Sequence, residues 1–327
     1  MKILLATKTF LGLLAAALSC CAASAGAQAF PSRPIRLIVG YPAGGNIDIT
    51  ARVVAAAFTE QFGQTVIVDN RPAVHGIISG GMVAKSAPDG YTLLVASSGQ
   101  MTASPESSAD MSFDYVRAFA AVGMVQLGPY ILVSTLKTPS PKLNLSDLIK
   151  SAKERPAQVT TAYSGFATRL VLELFNTMAG VKLLAVPYKG GAPALTELIG
   201  GQVDTMITQL LAAVGPMRDN RVRGLAVSTF KRSSVAPNIP SFDESGLKGF
   251  EAGTFVGVLA PAATPPAVIK TLNAAINKAL RTAAIQEKFR DMGSDTRETT
   301  PAQFGAMIRG DLAKWKKVAQ AAGIKEE

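Results

Sequence analysis

The tightest constraint on this chain is a recurring order: a short apolar run, a glycine turn, then a helical pattern. Ile35 to Val39 is apolar and runs into Gly40-Tyr41-Pro42-Ala43-Gly44-Gly45. Val54, Phe58 and Phe62 then recur every four residues with Val53 and Ala57 beside them, which gives a helix one apolar face. Asn46 or Asp48 is expected to cap that helix and Gly63 to end it. Val66 to Val68 reads as a strand, 77–86 as a helix, Pro88-Asp89-Gly90 as a turn and 91–96 as a third strand. This βαβαβ order predicts a parallel sheet. Gln100 to Val116 is polar and Ser-rich and reads as a loop.

A second series begins at 130–134. It continues with a helix at 145–154, a strand at 158–162, a helix at 168–178 and a strand at 183–186. A helix at 192–199 and strands at 203–207 and 224–227 follow. A Pro/Ser-rich loop occupies 229–249, then a strand at 254–259 and mostly helix to the end. The expected class is α/β, and 327 residues suit two lobes of similar size.

Residues 1–29 stand outside that pattern. Lys2 and Lys8 accompany an apolar run from Phe10 to Leu18, and Ala27-Gln28-Ala29 precedes Phe30. Those features predict a cleaved secretory signal, with a run too short to span a bilayer as a helix. The rival reading is a lipoprotein, because Leu18-Ser19-Cys20-Cys21 loosely resembles a lipobox. Cleavage after Ala29 would remove both cysteines and leave no disulfide to form.

The formal charge of +10 invites a nucleic-acid reading, but the basic residues are scattered. The densest cluster, Lys314, Lys316 and Lys317, falls on an amphipathic helix marked by Phe304, Ile308, Leu312, Trp315 and Ala319. It is expected to be a solvated face. A single histidine, His75, excludes a His-rich metal cluster, and a structural or surface role is expected for it. No GxSxG, HExxH, Walker A or GxGxxG motif occurs. No catalytic residue, metal or cofactor is therefore expected.

Two turns remain as carriers of chemistry: 41–48 and 186–193. Each places a glycine pair before a helix, where free N–H groups and the positive dipole end suit an anion. Ordinary strand-to-helix turns use the same residues, so spacing alone leaves both readings open.

Longer motifs separate them. Phe30-Pro31-Ser32-Arg33-Pro34-Ile35-Arg36-Leu37-Ile38-Val39 leads into Tyr41-Pro42-Ala43-Gly44-Gly45 and Asp48. Val68-Asp69-Asn70-Arg71-Pro72, Ala87-Pro88-Asp89-Gly90-Tyr91-Thr92-Leu93-Leu94 and Val186-Pro187-Tyr188-Lys189-Gly190 follow. Gly200-Gly201-Gln202-Val203-Asp204, Gly246-Leu247-Lys248-Gly249-Phe250-Glu251 and Leu259-Ala260-Pro261-Ala262-Ala263-Thr264-Pro265 complete the series. In that order they resemble the Bug-type extracytoplasmic receptors of tripartite tricarboxylate transporters, across essentially all of the chain beyond residue 29.

The resemblance implies a two-lobed periplasmic binding protein fold (type II-like), each lobe a mixed, mostly parallel sheet flanked by helices. Lobe 1 would hold 30–128 plus 254–327, and lobe 2 would hold 129–253. It further implies a non-catalytic periplasmic receptor, expected as a monomer. Such a receptor captures a small organic carboxylate between the lobes and delivers it to the subunits of a tripartite tricarboxylate-type membrane transporter. Lobe 1 would supply Tyr41, Ala43, Gly44, Gly45, Asn46, Asp48, Ser97, Ser98 and Gly99. Lobe 2 would supply Ser164, Gly165, Phe166, Ala167, Thr168, Tyr188, Lys189, Gly190 and Gln209.

Three departures from the family pattern bear on the ligand. The usual Gly-Gly-Ser-Thr-Asp is here Gly44-Gly45-Asn46-Ile47-Asp48. The loop at Ser164-Gly165-Phe166-Ala167-Thr168-Arg169 is short and carries Phe166, and Thr208-Gln209 replaces an Asp-Asn pair. Together they point to an aromatic or partly apolar acid. Two other classes stay open: a sensor feeding a membrane kinase, and a hydrolase or transferase on the same scaffold.

Overall fold

The computed structural model describes residues 30–72, 76–103, 114–137 and 144–323. The expected signal segment, with Cys20 and Cys21, and His75 lie outside the described residues.

One sheet is built from β1 (Ile35–Val39), β2 (Val66–Asn70), β3 (Thr92–Ser97), the first part of β4 (Phe119–Thr135), β9 (Gly253–Pro261) and β10 (Asp295–Thr296), in the order β2-β1-β3-β9-β4-β10. The other is built from the last part of β4 with β5 (Thr160–Tyr163), β6 (Leu184–Pro187), β7 (Thr205–Gln209) and β8 (Val222–Val227), in the order β8-β4-β7-β5-β6. The outer pairs β1–β2, β1–β3, β5–β6 and β5–β7 are parallel. All pairs made by β4 and β9 are antiparallel. The sheets are therefore evenly mixed rather than mostly parallel, because two strands run back through their centres.

Alternation along the strands sets the layers. Leu37 and Val39 join a core with Phe58, Ile276 and Phe289, whereas Ile38 joins Leu94, Phe255 and Phe304 on the opposite face. In the second sheet Tyr130 and Leu132 face one core, and Ile131 and Val133 the other. The helices covering these faces are α1 (Asn46–Phe62), α2 (Ile77–Ala84), α3 (Tyr115–Ala118), α4 (Leu145–Glu154), α5 (Phe166–Ala179), α6 (Gly191–Gly200) and α7 (Leu210–Arg218). Beyond β9 come α8 (Pro266–Leu280), α9 (Ala283–Asp291) and α10 (Pro301–Ala322).

β4 is the joint between the lobes. Its residues 119–129 pair with β9, and 130–134 pair with β7. The return crossing lies beside it, where Ser228 Oγ accepts from the Tyr130 N–H at 2.8 Å and donates to the Ala252 carbonyl. α10 is a third tie. Phe304 and Ile308 fill the first lobe's core, while Trp315 and Val318 are buried in the second lobe's core. The sequence expectation gave this helix wholly to lobe 1; its apolar stripe is long enough to serve both.

Two local expectations change. Gly45 occupies the cap position of α1 and no side chain caps it, so neither Asn46 nor Asp48 is the cap. Lys314 is not part of a solvated face: its Nζ lies 2.6 Å from Asp311 Oδ1 and donates to the Glu251 carbonyl at 2.9 Å.

Candidate functional site

Strand register brings the carboxyl ends of both sheets to the crossing. At the end of β3, Ser97 lies opposite Val256, and the Ser98 hydroxyl accepts from the Phe255 N–H at 3.2 Å. At the end of β7, Gln209 lies opposite Tyr130, one residue beyond the Pro129–Gly253 pair. Ligands of open α/β sheets bind at such strand ends, where helices begin.

In the first lobe the β1–α1 turn is held from below. Asp48 is buried, and its Oδ2 accepts from the Gly44 N–H and from Arg52 Nε, both at 2.9 Å. Its Oδ1 accepts from Asn70 Nδ2 at 3.0 Å. Burial opposes its ionisation, but the bonds from Arg52, Gly44 and Asn70 outweigh this and hold the carboxyl below its usual value. Asp48 thus shapes the turn and turns its charge away from any anion. Ala43, Gly44, Gly45 and Asn46 are exposed above it. Tyr41 closes the side of the turn, its hydroxyl 3.0 Å from Ser97 Oγ. Burial raises that phenol above its usual value despite the Ser97 bond, so it stays protonated. Gly99 is exposed at the start of a π-helical turn, Gly99–Ala103.

In the second lobe β5 and β6 pair with Tyr163 opposite Pro187, so the turns that follow them lie side by side. Ser164 Oγ is 3.8 Å from where a Cβ on Gly191 would stand. Thr168 Oγ1 donates into the Ser164 and Gly165 carbonyls and accepts from the Ser164 N–H at 3.0 Å. That hydroxyl is therefore spent inside the turn. Gly165 takes φ +86, a left-handed conformation that glycine adopts without strain. Phe166 packs partly against the second core and Tyr188 partly against its opposite face, while Ala167 and Lys189 are exposed. No side chain caps α5, α6 or α7. Their first N–H groups are free of capping side chains, as are those of α1.

Asn46 and Gln209, one from each lobe, line a shared crevice of about 380 Å³ beside the crossing; the other expected residues lie outside its lining. Ile49, Pro129, Leu211 and Met292 make its apolar walls, and Thr254 and Ser294 add hydroxyls. Among the described residues no Lys or Arg lines it. Its acid, Asp291, is exposed at the end of α9. Sequence reasoning missed Ile49, Leu211, Met292 and Ser294, because apolar and small residues at helix ends carry no motif. The helical spacing of Ile49 with Val53 was the available signal for one of them.

A family model described as the tripartite tricarboxylate transporter family receptor matches residues 50–324. Protein BugT of Bordetella pertussis is 36% identical over 310 residues, spanning 93% of this chain and 94% of that protein. A protein of R. palustris solved with adipate is 32% identical, with a TM-score of 0.65 over 91% of this chain and all of its own. An unliganded solute-binding protein from Polaromonas, 24% identical, superposes with a TM-score of 0.81 over 89% of this chain and 99% of its own, which establishes the fold. The converging strand ends, the uncapped helix starts and these likenesses agree, and the chain belongs to the tripartite tricarboxylate transporter receptor family.

Proposed function

We propose that this receptor binds an aromatic or otherwise partly apolar carboxylate between its lobes and hands it to a tripartite membrane transporter. The observation that carries the reading is the crevice at the crossing of the two sheets, lined by Asn46 at the start of α1 and by Gln209 just before α7, neither helix having a side-chain cap. Backbone N–H groups and amide side chains there supply donors for a carboxylate without a cationic clamp. The apolar walls of Ile49, Pro129, Leu211 and Met292 favour a hydrocarbon body attached to that head. Binding of adipate by the R. palustris relative supports the carboxylate class.

The first lobe in this reading is 30–128 plus most of 254–327, and the second is 129–253. The ligand-holding turns are Tyr41 to Asn46, Ser97 to Gly99, Ser164 to Thr168, Tyr188 to Gly190, and Gln209. A ligand touching both lobes binds their closed arrangement better than the open one, and that difference in affinity drives closure. The receptor acts as a monomer without catalysis, after export by a signal cleaved before Phe30. Amino-terminal sequencing of the secreted protein should start at Phe30; a chain starting at an acylated Cys20 or Cys21 would replace that view with a lipid anchor.

A thermal-shift panel of citrate, succinate, adipate, benzoate and phenylacetate tests the ligand class. Stabilisation by one or more acids with an apolar body is expected. Stabilisation by citrate alone would remove the apolar preference, and none by any acid would remove the carboxylate reading.

A further inference from the structure

The polarity of the Asn46 side chain is set from inside the lobe. Gln126 sits on β4 with no solvent exposure, and its Nε2 reaches Thr50 Oγ1 at 2.5 Å and Asn46 Oδ1 at 2.7 Å. Thr50 is also fully buried, and its hydroxyl donates to the Asn46 backbone carbonyl at 2.7 Å. A hydroxyl has one proton, and here the carbonyl takes it. Toward Gln126 the Thr50 oxygen can therefore only accept, so the nitrogen of the Gln126 amide must face it. Turning that amide over would set two acceptors against each other. The second N–H of the same nitrogen goes to Asn46, which must then offer its oxygen. Asn46 is left with its Nδ2 donors on the exposed side of a residue that lines the crevice.

We infer that Thr50 and Gln126 are positioning residues that lock Asn46 as a hydrogen-bond donor toward the bound ligand. The hydrogen-bond relay runs from a backbone carbonyl through one hydroxyl and two amides, each link fixing the direction of the next. Its consequence is selectivity: a carboxylate, which only accepts, is matched, whereas an ammonium, which only donates, is not. Gln126 Oε1 is buried without a protein partner among the described residues, so the orientation is maintained although one acceptor is unpaired. This inference rests on the carboxylate reading of the crevice, but its test has an arm that does not.

The first arm is calorimetry of the wild type, Thr50→Val, Thr50→Ser and Gln126→Glu with whichever acid of the panel binds most tightly. Thr50 does not line the crevice, so it acts on affinity only through its bonds to Gln126 and to the Asn46 carbonyl. Thr50→Val should weaken binding about fivefold, and Thr50→Ser should restore it to within about twofold. Gln126→Glu presents only acceptors when ionised, turns Asn46 over and should weaken binding about tenfold at neutral pH. Equal affinity in wild type and Thr50→Val, with melting temperatures alike, would overturn the inference.

The second arm needs no ligand. In the uniformly 15N-labelled wild type, the Gln126 side-chain NH2 should exchange slowly with solvent and the Asn46 NH2 rapidly. A protected Asn46 NH2 with a freely exchanging Gln126 NH2 would overturn the relay. If no acid of the panel binds, the carboxylate reading falls, and the exchange result alone decides the relay.

Discussion

At the residue scale, Gly45 and Asp48 separate binding from stability within one turn. A Cβ on Gly45 would meet only the Pro42 carbonyl, at 3.5 Å, and its φ of −78° suits any residue. Gly45→Leu should therefore fold normally, with a melting temperature within a few degrees of wild type, and lose at least about tenfold in affinity by blocking the start of α1. Unchanged affinity would remove this turn from the site. Asp48→Ala has the opposite signature, because it strands the Gly44 N–H and the Asn70 amide. It should cost about 2 kcal/mol of stability in urea unfolding at neutral pH. Since the folded-state carboxyl lies below its usual value, its contribution is present above the titration of an unfolded Asp, near pH 4, and is lost as the pH falls through the folded value. The stability gap between wild type and variant should thus narrow on acidification; a gap independent of pH would contradict this assignment.

At the scale of elements, α10 is the tie most exposed to test. Trp315 is buried in the second lobe's core and donates from Nε1 to Asp311 Oδ2 at 2.9 Å, while Phe304 anchors the other end in the first lobe. Trp315→Ala should destabilise by about 3 kcal/mol and broaden the unfolding transition as the lobes lose a shared brace. Most elements were legible in the chain, for reasons visible in individual residues. Asn144 and Asp147 form a capping box that opens α4, and Gly63 ends α1 in the left-handed conformation. β4 was read only at 130–134, because Gly123, Gly128 and Pro129 look like strand breakers. In the fold Gly123 is where packing leaves no room for a side chain, since a Cβ there would stand 2.9 Å from Asn273 Nδ2. Register shifts flank it and absorb the irregularity. α7 was missed for a similar reason: Gly215 and Pro216 sit inside it.

At the scale of the whole molecule, two crossing strands and one shared helix join the lobes around a crevice with donors from both sides. The turns that would hold the ligand were legible because glycine pairs before helices leave a sequence trace. The convergence of the strand ends was not legible, since it depends on Ser98 bonding to Phe255 in one sheet and Gln209 facing Tyr130 in the other. Hinge closure on a bound acid should reduce the radius of gyration in small-angle X-ray scattering; identical curves with and without a saturating acid would exclude closure.

In the proposed function the diffuse positive charge of the chain plays little part, because the crevice offers N–H donors, which hold a charged acceptor more strongly than a neutral one. Isothermal titration of matched pairs tests that claim most directly: adipate against adipamide, and benzoate against benzamide. One site per chain is expected for an acid, with affinity at least about tenfold weaker for its amide. Equal binding of an acid and its amide, or no binding by any acid, would contradict it.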